Sequence, residues 1–244
     1  MKNPHLSIII PAYNEAKRLP LTLLDIDKHL EKAKFSYEIL VVDNNSSDGT
    51  KEIAQRFSLL TKHLRVIECL QQGKGAAVKK GMLEARGDIR LFTDADNSTS
   101  ITHFFAMEHY FNEGSDVVIG SRDIPGATLE PAQPWYRRIL GDAGNLFIQL
   151  MLLKGIKDTQ CGFKAFSAKA TEAIFPHLTI SGWGFDVEVL TLARRYGFYI
   201  TEIPVRWVNS AMSHVKPTAY FLVLLEVVRI KIKLLKGFYP AVHK

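Results

Sequence analysis

The chain has 244 residues, 47% of them hydrophobic and 23% charged, and its 31 Lys and Arg against 25 Asp and Glu give a formal net charge of +6. This composition suits one globular domain of generous size, alone or with an appendage, and no internal repeat or low-complexity segment interrupts it. The basic balance favours an anionic partner, either anionic lipid or a phosphorylated substrate; no helix-turn-helix, RNP or zinc pattern supports nucleic acid, which is not expected as a partner.

The predicted elements alternate. Residues 6–10, LSIII, predict a buried strand, and 16–33 a helix with Pro20 near its start. EILVV at 38–42 is a second strand, followed by a helix over 48–58 with Asp48 in its first turn. LRVIE at 64–68 is a third strand, and 74–86 a helix opened by Gly-Lys-Gly and closed near Gly87. DIRLF at 88–92 is a fourth strand, then come a helix over 101–112 and a strand at 116–119. This rhythm predicts an α/β fold, with a mostly parallel sheet flanked by helices. The second half is less regular. A helix is expected over 135–153, short elements around 158–166 and 182–189, a strand and turn over 198–207, and a long helix over 219–236.

In such sheets ligands bind beyond the carboxyl ends of the strands. PAYNE follows the first strand, DNNSSDGT the second and TDADNST the fourth, so the three polar loops predict one shared site. Asp94 and Asp96 stand one residue apart where the fourth strand ends. Two such carboxylates can approach one hard cation, Mg²⁺ or Mn²⁺, that also bridges to phosphates. Lys74, between two glycines at a helix start, adds a cation beside amides that suit an anion. The stretch is not a Walker A sequence. Asp43 can accept a hydrogen bond from a base or ribose. Each feature also has a bland reading: a capping Asp in a wet loop, an ordinary helix start, a turn Asp.

The two cysteines, Cys69 and Cys161, lack metal-site or disulfide spacing and point to a reducing compartment. The apolar start is too short for a signal segment, and no run reaches the roughly 18 residues of a membrane span.

Taken in order, IIIPAYNE, VVDNNSSDGT, GKGAAVKKGM, TDADNST, VIGSR and DTQCGFKAF resemble glycosyltransferase family 2, over residues 5–216. The family comprises inverting nucleotide-sugar enzymes of the GT-A fold, and DTQCGFK is similar to its polyprenyl-phosphate branch. The resemblance implies transfer of a hexose, glucose first, from a nucleotide sugar of the UDP-glucose or GDP-mannose type to a polyprenyl or dolichyl phosphate, with Mg²⁺ or Mn²⁺. It implies donor binding by Pro11, Tyr13, Glu15, Asp43, Lys74 and Asp94, metal binding by Asp94 and Asp96, and catalytic roles for Asp96 and Asp158. Arg122 and Gln160 would face the reacting groups. Arg122, Arg137, Lys164 and Arg206 are candidate cations for an acceptor phosphate, which is already anionic and hardly needs a base. A sugar-hydroxyl acceptor would need one, with Asp158 first and Asp186 and Glu188 in reserve. That acceptor, and a non-catalytic nucleotide-sugar-binding module, are the alternative readings. The chain departs from many relatives at Asp43-Asn44-Asn45, at Ser98 and at Ser213-His214.

The C-terminal stretch 217–244 is set apart from the 1–216 domain. Glu226, Arg229, Lys233 and Lys236 form one helical stripe on an otherwise apolar segment, with Lys231 off it. Such a helix suits an anionic membrane interface or a place against the domain's own core, and the first option predicts a cytoplasmic protein, peripheral on the membrane's cytoplasmic face.

Overall fold

A computed structural model describes residues 3–131, 135–208 and 218–241, without the side chains of 135–140, 218 and 219. Its strands are Leu6–Ala12 (β1), Tyr37–Asp43 (β2), Leu64–Glu68 (β3), Ile89–Thr93 (β4), Val117–Ser121 (β5), Thr128–Glu130 (β6), Phe163–Ser167 (β7), Ile200–Pro204 (β8) and Arg206–Val208 (β9). The helices are Leu19–Leu30 (α1), Thr50–Leu60 (α2), Lys74–Glu84 (α3), His103–Asn112 (α4), Trp135–Met151 (α5), Ala168–Ile174 (α6), Phe185–Arg195 (α7) and Thr218–Leu235 (α8). The main sheet runs β3-β2-β1-β4-β7-β5-β8, and β6 pairs with β9 alongside. The predicted α/β layering is therefore present.

Continuous apolar runs make the central strands because both faces of the sheet are covered. Ile8 and Ile10 point to one face, with Val41, Leu91 and Val118, and meet Leu19, Leu23 and Ile26 of α1 and Phe104 and Met107 of α4. Ile9 points to the other, with Leu40, Val42 and Phe92, and meets residues of α3, α6 and α7. The period of two is the ordinary alternation of a strand.

β7 is the exception to the parallel order: it runs antiparallel between β4 and β5, with Thr93 paired to Phe163. The start of β7 thus lies at the same edge as the end of β4. That reversal brings residues 158–162 to the carboxyl edge of the sheet.

The C-terminal helix is part of the core. Val223, Val227 and Ile230 of α8, and Tyr239 after it, are buried in the same cluster as α3 and α7. The expected wet stripe is split. Glu226 and Lys233 turn inward, accepting from the Gly184 N–H and donating to Thr179 Oγ1, whereas Arg229 and Lys236 stay exposed. Lys231 donates to the Met151 carbonyl and so caps α5. A second apolar row, Phe221, Leu225, Val228, Ile232 and Leu235, remains exposed, as do Leu146 and Leu150 on the neighbouring α5. Among the described residues no helix is long and apolar enough to cross a membrane.

Candidate active site

Three loops leave the carboxyl ends of β1, β2 and β4, and each turns through an asparagine in the left-handed region: Asn14 (φ 56), Asn45 (φ 64) and Asn97 (φ 53). Asn tolerates this conformation better than most residues, so a tight reversal is possible there without Gly. The first two loops are joined: the Asn14 N–H donates to Ser46 Oγ, and the Ser47 N–H donates to Asn14 Oδ1. Asn44 fixes the next segment. Its Nδ2 donates to the Cys69 and Gln71 carbonyls, and its Oδ1 accepts from the Gly73 N–H that opens α3. Asn44 is therefore the clamp that places Lys74.

At the end of β2, Asp43 is buried; one carboxylate oxygen accepts from the Ser46 N–H at 3.3 Å and the other, Oδ1, has no partner. A buried carboxylate oxygen without a donor is costly, so the position suits a ligand N–H or O–H. Pro11 lies beside Val42 in the β1–β2 register, and Tyr13 is about half exposed above the same edge. Glu15 sits elsewhere in the network. Its carboxylate grips Arg18, whose guanidinium reaches Asp96 at 3.6 Å. Glu15 acts on the carboxylate pair through Arg18, a residue that sequence reasoning missed because the contact depends on how α1 returns across the sheet.

The Asp94–Asp96 pair has positive partners in the protein. Lys74 Nζ lies 2.5 Å from Asp94 Oδ1 and 5.4 Å from the centre of the Trp183 ring. Burial works against the Lys74 ammonium, but Asp94, Asp186 and Asp96 together outweigh it and hold its pKa above the ordinary lysine value. Burial and the neighbouring Asp94 charge push the Asp96 carboxyl up, against the Ser98 N–H and Arg18. Gly162 makes room for Asp94, since a Cβ there would lie 1.9 Å from Asp94 Oδ2. The two carboxylates offer hard oxygen ligands one residue apart. Among the described residues no third His, Cys, Asp or Glu joins them. The donor set therefore fits a Mg²⁺ or Mn²⁺ ion whose remaining ligands are waters and phosphate oxygens.

On the far side, Arg122 follows β5 and pairs with Asp158 through both nitrogens, Nε at 2.7 Å and Nη2 at 2.9 Å. The guanidinium also lies 4.8 Å from the Trp207 ring centre. Burial opposes the Asp158 charge, but Arg122 outweighs it and holds this carboxyl below the ordinary range. A carboxylate so committed is a poor base, and Asp158 also organises its loop by accepting the Gln160 N–H.

Three expectations are corrected by burial. Lys164 is fully buried, 2.5 Å from Asp186 and from the Cys161 carbonyl, and cannot meet an acceptor phosphate. Asp186 is its partner and is sealed with it. Glu188 accepts from the Thr179 and Ile180 N–H groups, Thr179 Oγ1 and Tyr239 Oη, which leaves it no role as a base. Arg206 is exposed and pairs with Glu130 at 2.7 Å. The Arg137 side chain, and Ser213 and His214, lie outside the described residues.

The model of the family described as "Glycosyl transferase family 2" matches residues 7–175. A dolichyl-phosphate beta-glucosyltransferase of Dictyostelium discoideum is 38% identical over 98% of this chain and 78% of its own length. The human protein of the same name is 32% identical over 87% of this chain and 70% of its own. Among solved structures, mannosyl-3-phosphoglycerate synthase from Rubrobacter xylanophilus superposes with a TM-score of 0.71 at 18% identity, covering 99% of this chain and 77% of that one. Glucosyl-3-phosphoglycerate synthase from Mycobacterium tuberculosis, in complex with Mn²⁺, UDP-glucose and phosphoglyceric acid, gives 0.68 at 18% identity, covering 96% and 80%. These two structures establish the GT-A type of fold, and the sequence matches carry the rest: the chain belongs to glycosyltransferase family 2.

Proposed function

We propose that the protein transfers glucose from UDP-glucose to a polyprenyl phosphate of the dolichyl type, with inversion at the anomeric carbon. The observation that carries this reading is an intact Lys74–Asp94–Asp96 group at the sheet edge, in a chain 38% identical to a dolichyl-phosphate beta-glucosyltransferase over nearly its whole length.

The residues divide the work. Asp43 Oδ1 takes the free N–H of the uracil or a ribose hydroxyl, because it is the buried acceptor without a donor. Lys74 turns from Asp94 toward the diphosphate and offsets the charge that grows on the leaving phosphate. Asp94 and Asp96 hold a divalent ion, which when bound supplies Lewis-acid stabilisation of the same charge. Arg18 keeps Asp96 oriented. The acceptor phosphate is doubly or nearly doubly ionised at neutral pH, having a second pKa of about 6, so it attacks without losing a proton. Arg122 meets it with the guanidinium edge left by Asp158, and Trp207 holds that guanidinium flat. Asp158 then fixes a cation and takes no proton, which favours a phosphate acceptor over a sugar hydroxyl.

The lipid end has a place to go. The row Phe221, Leu225, Val228, Ile232 and Leu235, flanked by exposed Arg229 and Lys236, suits the interface of an anionic membrane. Purified protein with UDP-glucose, dolichyl phosphate in detergent and Mn²⁺ should yield a β-linked glycolipid. GDP-mannose should yield none, and excess EDTA should stop turnover. A product formed only on free sugar hydroxyls, or one of retained configuration, would refute the reading.

A further inference from the structure

The first turn of α3, which carries Lys74, rests on the segment 180–185. A Cβ on Gly73 would lie 2.1 Å from the Ser181 carbonyl oxygen, and one on Gly75 2.6 Å from Phe185 Cβ. The Ala76 N–H donates to that same Ser181 oxygen at 3.3 Å. Trp183, at the middle of the segment, lies against the Lys74 ammonium. From the opposite side the segment is held by the C-terminal helix. The Gly184 N–H, at the start of α7, donates to Glu226 Oε2 at 2.7 Å. A Cβ on Gly182 would lie 2.4 Å from Glu226 Oε1, and one on Gly184 2.9 Å from Glu226 Cβ. Glu226 thus supplies a side-chain acceptor at the N-terminus of α7, where the N-cap Gly184 has no side chain of its own and the first-turn Asp186 and Glu188 are bound to Lys164, Thr179 and Tyr239.

We infer that Glu226 is a positioning residue for the donor site: it holds the Gly182–Gly184 turn so that Trp183 sets the Lys74 ammonium toward the diphosphate. The inference rests on the donor reading above. It makes α8 a working part of the nucleotide site, although the helix is remote from the first half of the chain in sequence. The two glycines have a reason beyond turn formation: any side chain at 182 would displace the carboxylate. A purely structural Glu226 would affect stability alone; a positioning one also affects diphosphate affinity.

The test uses the full chain in detergent. UDP binding with Mn²⁺ is measured by calorimetry, and turnover is measured at varied UDP-glucose and varied dolichyl phosphate. Glu226→Ala should weaken UDP binding and raise the KM for UDP-glucose about tenfold, equivalent to about 1.4 kcal/mol, with less change in the KM for the lipid. Glu226→Gln, which keeps an oxygen acceptor for the Gly184 N–H, should restore affinity to within about twofold of the unaltered protein. Gly182→Ala displaces the same carboxylate from the other side. It should weaken UDP binding in the unaltered background and add nothing once Glu226 is Ala, since contacting residues are not additive. Unchanged UDP affinity in Glu226→Ala and Gly182→Ala overturns the inference, as does strict additivity of the two alanine changes. If Glu226→Ala does not fold, Gly182→Ala still decides it. Failure of the unaltered protein to bind UDP would take down the donor reading itself, a result separable from normal binding that ignores Glu226.

Discussion

Two lysine–aspartate pairs in this molecule have the same 2.5 Å separation and opposite uses. Lys74–Asp94 lies at the sheet edge with its side chains 15% and 24% exposed; Lys164–Asp186 lies beneath it at 0% and 4%. The outer pair is partly open to water at the sheet edge, so on the proposed reading it can exchange partners with a ligand phosphate. The inner pair cannot, and it spends its charges on the Cys161 carbonyl and on the Phe92 ring at 5.4 Å. Distance alone does not say whether an ion pair does chemistry or holds a frame; access to a third partner does. The two are also coupled, since Asp186 helps hold the Lys74 ammonium charged.

Breaking the inner pair should have the larger effect on the fold. Lys164→Met leaves Asp186 buried without its cation, a change expected to cost about 3–5 kcal/mol. Replacing both, Lys164→Met with Asp186→Leu, should recover most of that loss, because a buried pair often gives no more than an apolar one of similar volume. Urea denaturation of the two variants checks this. A single variant as stable as the unaltered chain would show that the pair is not sealed.

Breaking the outer pair should spare the fold and stop the chemistry. Lys74→Ala leaves Asp94 still partly reached by water, so the stability cost should stay well below that of breaking the inner pair. Turnover should fall about 10²- to 10³-fold, the usual effect of removing one group that stabilises transition-state charge. A thermal melt and an initial-rate assay on the same preparation separate these outcomes. Loss of both stability and activity would make Lys74 a frame residue like Lys164.

The contrast also shows what could be read from sequence. The parallel half is legible: each apolar run ends at a polar loop, and β3 falls at 64–68 as its pattern predicts. β1 extends to Ala12 because Pro11 and Ala12 still pair with β2, which no apolar pattern reveals. The direction of β7 is illegible, because FKAFS would suit a buried strand running either way. Lys164 looked available because its partner is 22 residues away on a helix whose orientation only the packing decides. That Lys74 and the Asp94–Asp96 pair fall at one sheet edge is legible, because strand ends and a Gly-Lys-Gly helix start carry their own physical meaning. Arg18, Asn44 and Trp183 were not, since each acts through a neighbour brought close by topology. The stripe on α8 misled for the same reason: Glu226 and Lys233 satisfy helical spacing equally well facing water or facing Gly184 and Thr179.

Glu188 is another buried acid, met by neutral donors where Asp186 is met by a cation. The last of these donors is Tyr239 Oη at 2.6 Å, and it ties the segment after α8 to α7. Tyr239→Phe should cost about 1.5–3 kcal/mol near neutral pH, the range for a hydrogen bond to a charged group. That is at most comparable with breaking the inner pair, because the two Glu188 N–H contacts remain. The pH dependence has a definite sign. Burial, with Glu188 adding to it, raises the Tyr239 pKa above its ordinary 10.0. The unfolded chain then releases the phenol proton at a lower pH than the folded protein does. Stability from this group is complete below about pH 10 and declines as pH rises from there through the raised folded value. The gap in unfolding free energy between the unaltered protein and Tyr239→Phe should therefore be widest at pH 7–9 and narrow above pH 10. A gap that stays constant to pH 11 would mean that Tyr239 is held by packing and not by its bond to Glu188.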